Sequence, residues 1–329
     1  MYPYQRHRRL RQNEAIRSLT RENLLSPNDF LVPLFVVEGK NIKEEIASMP
    51  NYYRMSLDLL AKEVKLLWDM GLKSVLLFVK VSDQLKDNAG TEAVNPNGLM
   101  QQAIKTIKNA TPGMIVMTDV AMDPYSNFGH DGVVENGAIQ NDATLEVLCE
   151  MGLSHAQAGA DFLAPSDMMD GRVVALRETL EESGMHNVGI MSYAAKYASS
   201  FYGPFRDALD SAPVDMQDVP KDKKSYQMDP ANRKEAIKEA LSDVEEGADI
   251  LMVKPGLSYL DILRDIANHT QLPLAVYQVS GEYAMLKAAA EKGWLDHDAV
   301  MLEQLIAFKR AGASMIASYF AKDAVKLIS

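Results

Sequence analysis

The chain has 329 residues, a formal net charge of -11 at pH 7, and an ordinary globular mix of 47% apolar and 24% charged residues. That length suits one large α/β barrel or two average domains, and no apolar run is long enough to cross a bilayer. The acidity argues against a general nucleic-acid binder, the one cysteine excludes a disulfide framework or a multi-cysteine metal site, and no cleavable leader pattern opens the chain, so the cytoplasm is the expected compartment.

The first feature is a basic cluster, Arg6-His7-Arg8-Arg9-Leu10-Arg11. Two roles are open to it: a tail for an acidic partner, or a surface that docks on acidic copies of the same chain. We read residues 1–30 as an arm and 31–329 as one catalytic domain. Beyond the arm one unit recurs. Around Gly71, Gly159, Gly247 and Gly312, a helical pattern stops at glycine and a short loop leads into a buried strand. The helical patterns are amphipathic, with Leu57, Leu60, Val64 and Leu67 on one face and Ile237, Ala240, Leu241 and Val244 on another. Cys149 falls in such a pattern and is expected to be a small core residue.

Eight strands are predicted, near 32–37, 74–79, 114–120, 161–164, 188–193, 249–254, 274–279 and 314–319. Eight buried strands alternating with helices predict a (β/α)8 TIM barrel. An open doubly wound sheet is the alternative, but it usually carries a G-x-G-x-x-G turn after its first strand, and the sequence has none there.

A barrel puts its chemistry at the carboxyl ends of the strands. Those ends carry Asp119, Ser166 with Asp167, Tyr193 followed by Lys196, Lys254, Ser280 and Tyr319. Lys254 closes the apolar run Ile250–Val253 that follows Asp249, where burial would favour a neutral, nucleophilic amine. Lys196 would face the same mouth, and two neighbouring ammonium ions lower each other's pKa. Asp119 has two readings, a proton shuttle or a counter-ion. Ser280 and Tyr319 suit a carboxylate as neutral donors. Arg206, in the loop Phe201-Tyr-Gly-Pro-Phe205-Arg206, suits a carboxylate as a lid clamp. The aromatics beside it either wall the site or hold the loop down.

The phrases Pro165-Ser-Asp-Met-Met-Asp-Gly171-Arg172, Ser192-Tyr-Ala-Ala-Lys196 through Arg206, Met252-Val-Lys254-Pro-Gly256 and Val279-Ser280-Gly-Glu-Tyr283 closely resemble the porphobilinogen synthase (5-aminolaevulinate dehydratase) family. The resemblance covers nearly the whole chain. It implies condensation of two 5-aminolaevulinate molecules to porphobilinogen in tetrapyrrole synthesis. Lys254 would form a Schiff base with the first substrate, whose carboxylate Ser280 and Tyr319 would hold. Lys196 would engage the second, gripped by Arg206, Gln227 and Lys223. The family often has arginine at the last position, and lysine supplies the charge without the bidentate fork.

Many relatives hold catalytic zinc on three cysteines, and the aligned positions here are Ala121, Asp123 and Asp131. The resemblance is therefore to the aspartate-rich, zinc-independent branch. Asp123 and Asp131 would either hold an ion or bond the second substrate's amine. His130, a lone loop histidine, is expected to be structural. The resemblance also implies an allosteric magnesium at Glu239 and a homo-octamer in which the arm, with Arg9 and Arg11, wraps a neighbour. Two rivals stand beside this reading: a class I aldolase, and a barrel that has lost catalysis and serves only in binding.

Overall fold

The computed structural model describes residues 4–328, so the first three residues of the expected arm and the last of the expected domain lie outside the described residues. Eight parallel strands close into a barrel: β1 (Phe30–Val37), β2 (Ser74–Lys80), β3 (Ile115–Val120), β4 (Phe162–Pro165), β5 (Gly189–Lys196), β6 (Ile250–Lys254), β7 (Leu274–Gln278) and β8 (Met315–Ser318). Each pairs with the next, and β8 pairs with β1 to complete the ring. The strands are apolar nearly end to end because helices cover their outer face while side chains fill the interior. All eight residues of β1 are buried.

Returning helices lie between the strands. In helix Leu57–Asp69 the buried residues are Leu60, Val64 and Leu67, on the face predicted by the apolar spacing. Helix Lys234–Glu245 turns differently. Its buried residues are Ala236, Ala240 and Asp243, while Leu241 is exposed. Two alanines bring this helix close to the barrel, and Asp243 is drawn inward by polar partners: Ser192 Oγ donates to its Oδ2 at 2.5 Å, and Arg172 Nη2 lies at 3.6 Å. Hydrophobic spacing cannot anticipate a buried ion pair. Cys149 is only partly buried, because it sits to one side of the buried face of helix Asn141–Ala158.

Arg172 accounts for one of the phrases singled out in the sequence. Fully buried, it donates to Ser192 Oγ at 3.1 Å and to the carbonyls of Tyr193 and Met169, both at 3.2 Å. It thereby ties the turn after β4 to β5. Two elements were not anticipated. A hairpin formed by Lys43–Glu45 and Tyr53–Met55 follows β1 and pairs back onto it through Phe35 and Arg54. A second, smaller hairpin joins Val134–Glu135 to Ala138–Ile139.

Candidate active site

The two lysines meet because of a local irregularity. Between β5 and β6 the pairs Ile250–Met191 and Leu251–Ser192 are followed by Val253–Ala195 and Lys254–Lys196, so β5 carries one extra residue. A bulge of this kind re-aims every side chain after it. It leaves Lys196 directly beside Lys254 on adjacent strands, whose backbones run about 5 Å apart. Strand β5 thus ends on Lys196 itself, not at Tyr193 as the sequence suggested.

Their surroundings differ. Lys254 is buried, and its Nζ lies 4.7–5.2 Å from the ring centres of Phe205, Tyr277, Tyr202 and Tyr193. Among the described residues that nitrogen has no hydrogen-bond or salt-bridge partner. Burial, with the charge of Lys196, brings its pKa down to about 7. A substantial fraction of neutral amine is therefore present at neutral pH. Lys196 instead donates to the carbonyl of Ser166 and lies 3.4 Å from Asp131 Oδ2.

Three aspartates share the mouth. Burial and the neighbouring Asp123 carry Asp119 up to about 7, against the pull of Lys196 and the Ser166 hydroxyl. One oxygen of Asp119, the hydroxyl of Tyr193 and the amide oxygen of Gln227 are buried without a hydrogen-bond partner. Leaving such groups unpaired is costly, and polar atoms of a substrate would satisfy them. Asp123 and Asp131 hold Lys223 between them, with Nζ 2.8 Å from Asp131 Oδ1 and 3.3 Å from Asp123 Oδ2. Burial opposes the charge on all three. Lys196 and Lys223 nevertheless hold Asp131 well below the carboxylate range, and the two carboxylates raise Lys223. Asp123 stays raised despite Lys223, because burial dominates it.

Tyr226, which sequence reasoning missed, fixes this loop. Its hydroxyl receives the backbone N–H of Asp131 at 3.3 Å and lies 3.0 Å from His130 Nδ1. His130 Nε2 is 2.7 Å from the Pro220 carbonyl, so this histidine staples two loops together, as expected of a structural residue.

Over the mouth lies a lid whose helix spans Gly203–Leu209. The question about its aromatics resolves both ways. Phe205 walls the site and is also wedged against Phe78 and Phe35, at centroid distances of 5.0 and 5.8 Å. The guanidinium of Arg206 has no hydrogen-bond or salt-bridge partner among the described residues. Lys196, Lys254, Arg206, Lys223, Gln227 and Asp123 surround a cavity of about 20 Å³, room for about one water. The mouth is closed in this fold, and a substrate could enter only by displacing the lid.

Ser280 and Tyr319 do not line that cavity. Tyr319 follows β8, and its hydroxyl is 2.9 Å from that of Tyr277, one of the rings around Lys254. Ser280 is the first residue of helix Ser280–Glu291, not the end of β7. The next position must be glycine, since a Cβ on Gly281 would stand 2.5 Å from the Phe201 carbonyl oxygen at the base of the lid. The buried carboxylate of Glu282 receives the N–H groups of Val279 at 2.7 Å and Leu257 at 2.5 Å. It thus joins the Ser280 helix to the loop after Lys254.

Glu239 is not part of this cluster. It lines another cleft, of about 540 Å³, with Asp170, Asp229 and Glu235, and Gln227 borders both this cleft and the lysine cavity.

The family model for delta-aminolevulinic acid dehydratase matches residues 4–327. The chain belongs to this family. Curated delta-aminolevulinic acid dehydratases are similar over nearly their full length. That of Bacillus subtilis is 50% identical over 326 residues, covering 99% of this chain and 98% of the relative. That of Halalkalibacterium halodurans is 49% identical, covering 99% and 97%. A solved structure of the Toxoplasma gondii delta-aminolevulinic acid dehydratase, in complex with its reaction product porphobilinogen, superposes with a TM-score of 0.95 at 51% identity, covering 98% of this chain and 91% of that one. The closed eight-stranded barrel derived above is thus the fold of a delta-aminolevulinic acid dehydratase, the fold expected from the strand count.

Proposed function

We propose that this chain is a hydro-lyase that condenses two molecules of 5-aminolaevulinate to porphobilinogen through imines on Lys254 and Lys196. The observation that carries the reading is the placement of both amines, buried and in register, on one cavity beside an unpaired arginine. Neutral Lys254 attacks the ketone of the first substrate. Loss of water leaves an iminium that acidifies the adjacent carbon, and Asp119, with a pKa of about 7, is poised to exchange that proton. Ser280 and Tyr319 hold the first carboxylate, while Arg206 and Gln227 hold the second substrate against Lys196. Holding both substrates in opposed orientations supplies proximity, worth up to several kcal/mol. Porphobilinogen formation from 5-aminolaevulinate, read by its colour reaction, tests the overall activity. Borohydride reduction with substrate should leave a covalent adduct on Lys254.

The chemistry runs without catalytic zinc on this reading. Ala121, Asp123 and Asp131 offer no thiolate, and the two carboxylates already share the Lys223 ammonium. The zinc position does not fit its metal in this chain. Magnesium belongs at Glu239. Burial raises that carboxyl; Arg172 pulls it down, and Asp243 and Asp170 push it up again, an excess that a cation would relieve. No group of three or more His, Cys, Asp or Glu ligands converges among the described residues, so the ion would keep waters for most of its shell. The arm, with Arg9 and Arg11, packs on neighbouring barrels in a cytoplasmic homo-octamer. After exhaustive chelation, added magnesium should restore the sedimentation coefficient and the activity together, whereas zinc should restore neither. Rescue by zinc alone would remove this reading of the aspartates.

A further inference from the structure

The lid helix is short, and what seats it is a side chain more than 150 residues earlier in the sequence. A seven-residue helix is marginal by itself, and its last carbonyls need donors. Arg54 supplies them: its Nη1 donates to the carbonyls of Asp207 and Ala208, both at 2.9 Å. The other edge of the guanidinium is held by Glu44, with Nη2 at 2.8 Å and Nε at 3.2 Å. Arg54 is nearly buried, at 9% side-chain exposure, while Glu44 is 52% exposed. Arg54 is also rooted, because it lies on the hairpin strand that pairs with Phe35 of β1. Two lesser fasteners flank it. Ser48 Oγ donates to Asp207 Oδ2 at 2.6 Å, and Lys86 Nζ donates to the Asp210 carbonyl at 3.1 Å.

We propose that Arg54, oriented by Glu44, is the latch that seats the lid and so positions Phe205 and Arg206 over the two lysines. It is a positioning residue, touching neither amine. The cavity left under the closed lid is too small for substrate, so the Arg54 bonds to the lid carbonyls break or lengthen on each entry and re-form on closure. That Arg206 then grips the second substrate rests on the function proposed above; the latch itself does not.

Hydrogen exchange of the lid amides (residues 203–209) in substrate-free protein tests the latch without reference to catalysis. Arg54→Gln should speed lid exchange about tenfold or more, the consequence of losing charged hydrogen bonds, while exchange in the barrel strands stays as in the wild type. It should also raise KM about tenfold with kcat changed less than about threefold, because closure over the second substrate becomes less favourable. A merely structural loss would lower active enzyme without moving KM. Arg54→Lys should fall between the two, and Glu44→Gln, which leaves the arginine in place, should move lid exchange in the same direction by less. Lid exchange within about twofold of the wild type in a folded Arg54→Gln protein would overturn the latch. If that variant does not fold, an unchanged lid in Glu44→Gln would overturn it instead. Wild-type protein that forms no porphobilinogen would defeat the proposed function and leave the exchange result standing.

Discussion

Replacing Lys254 by methionine is expected to lower porphobilinogen formation about 10⁴-fold or more, the scale on which loss of a covalent nucleophile is felt. Methionine nearly matches the stem of lysine in a pocket walled by four aromatic rings, so the fold should survive. The borohydride adduct should disappear with the amine. The pH dependence of trapping in the wild type checks the same point independently. The Lys254 pKa is lowered to about 7, so the amine is charged and inert below that value. The trapping rate should fall about tenfold per pH unit below 7 and level off above about 8. A trapping rate still rising tenfold per unit at pH 9 would mean that this lysine is solvated and ordinary. Arginine in place of Lys254 should be as inactive as methionine, because a permanent cation cannot attack a ketone.

How far the sequence foretold this site depends on which force set each residue. Lys254 was legible because a lysine ending an apolar run is anomalous, and the barrel followed from repeated glycine-stopped helices and buried strands. The pairing of Lys196 with Lys254 was legible only as a shared mouth. Their direct register depends on a bulge that leaves no mark in apolar spacing. The aromatic wall could have been found in part: Tyr193 and Tyr277 are the single aromatic residues of β5 and β7, and a large phenol there must point at something. Arg54 could not have been found, since its lid partners lie more than 150 residues away and are backbone carbonyls; Glu44, whose partner is Arg54 itself, gains its meaning only through that contact. Glu239 reads as a helix acid in the sequence and occupies a half-buried, acid-rich cleft in the fold, a setting that depends on Asp170 from another loop.

Lys223 is where the resemblance and the geometry pull apart, and its removal distinguishes them. As a clamp for the second carboxylate, it would matter only when substrate is bound. In the fold itself it neutralises Asp123 and Asp131 in a buried site. Lys223→Met should therefore destabilise the free protein by about 3–5 kcal/mol, the cost of leaving buried carboxylates uncompensated, read as a shift in the urea midpoint. Lys196, already 3.4 Å away, would then be the ion-pair partner left to Asp131 among the described residues. An amine held charged by its own carboxylate does not attack a ketone, and turnover should fall about 100-fold. The measurement belongs near pH 8. Asp131 is depressed in the fold, so its contribution is complete above its ordinary 3.8 and is lost as pH falls through the folded value. Lys223 is raised, so its contribution is complete below 10.5 and is lost only as pH climbs through a higher value. Between these limits the Asp131–Lys223 pair is at full strength, and pH 8 lies well above the range in which the raised Asp123 is protonated. Adding Asp131→Asn to Lys223→Met removes one stranded charge and should recover part of the lost stability, a coupling between touching residues. A single substitution that raised KM but left the urea midpoint in place would return Lys223 to the role of a substrate clamp alone.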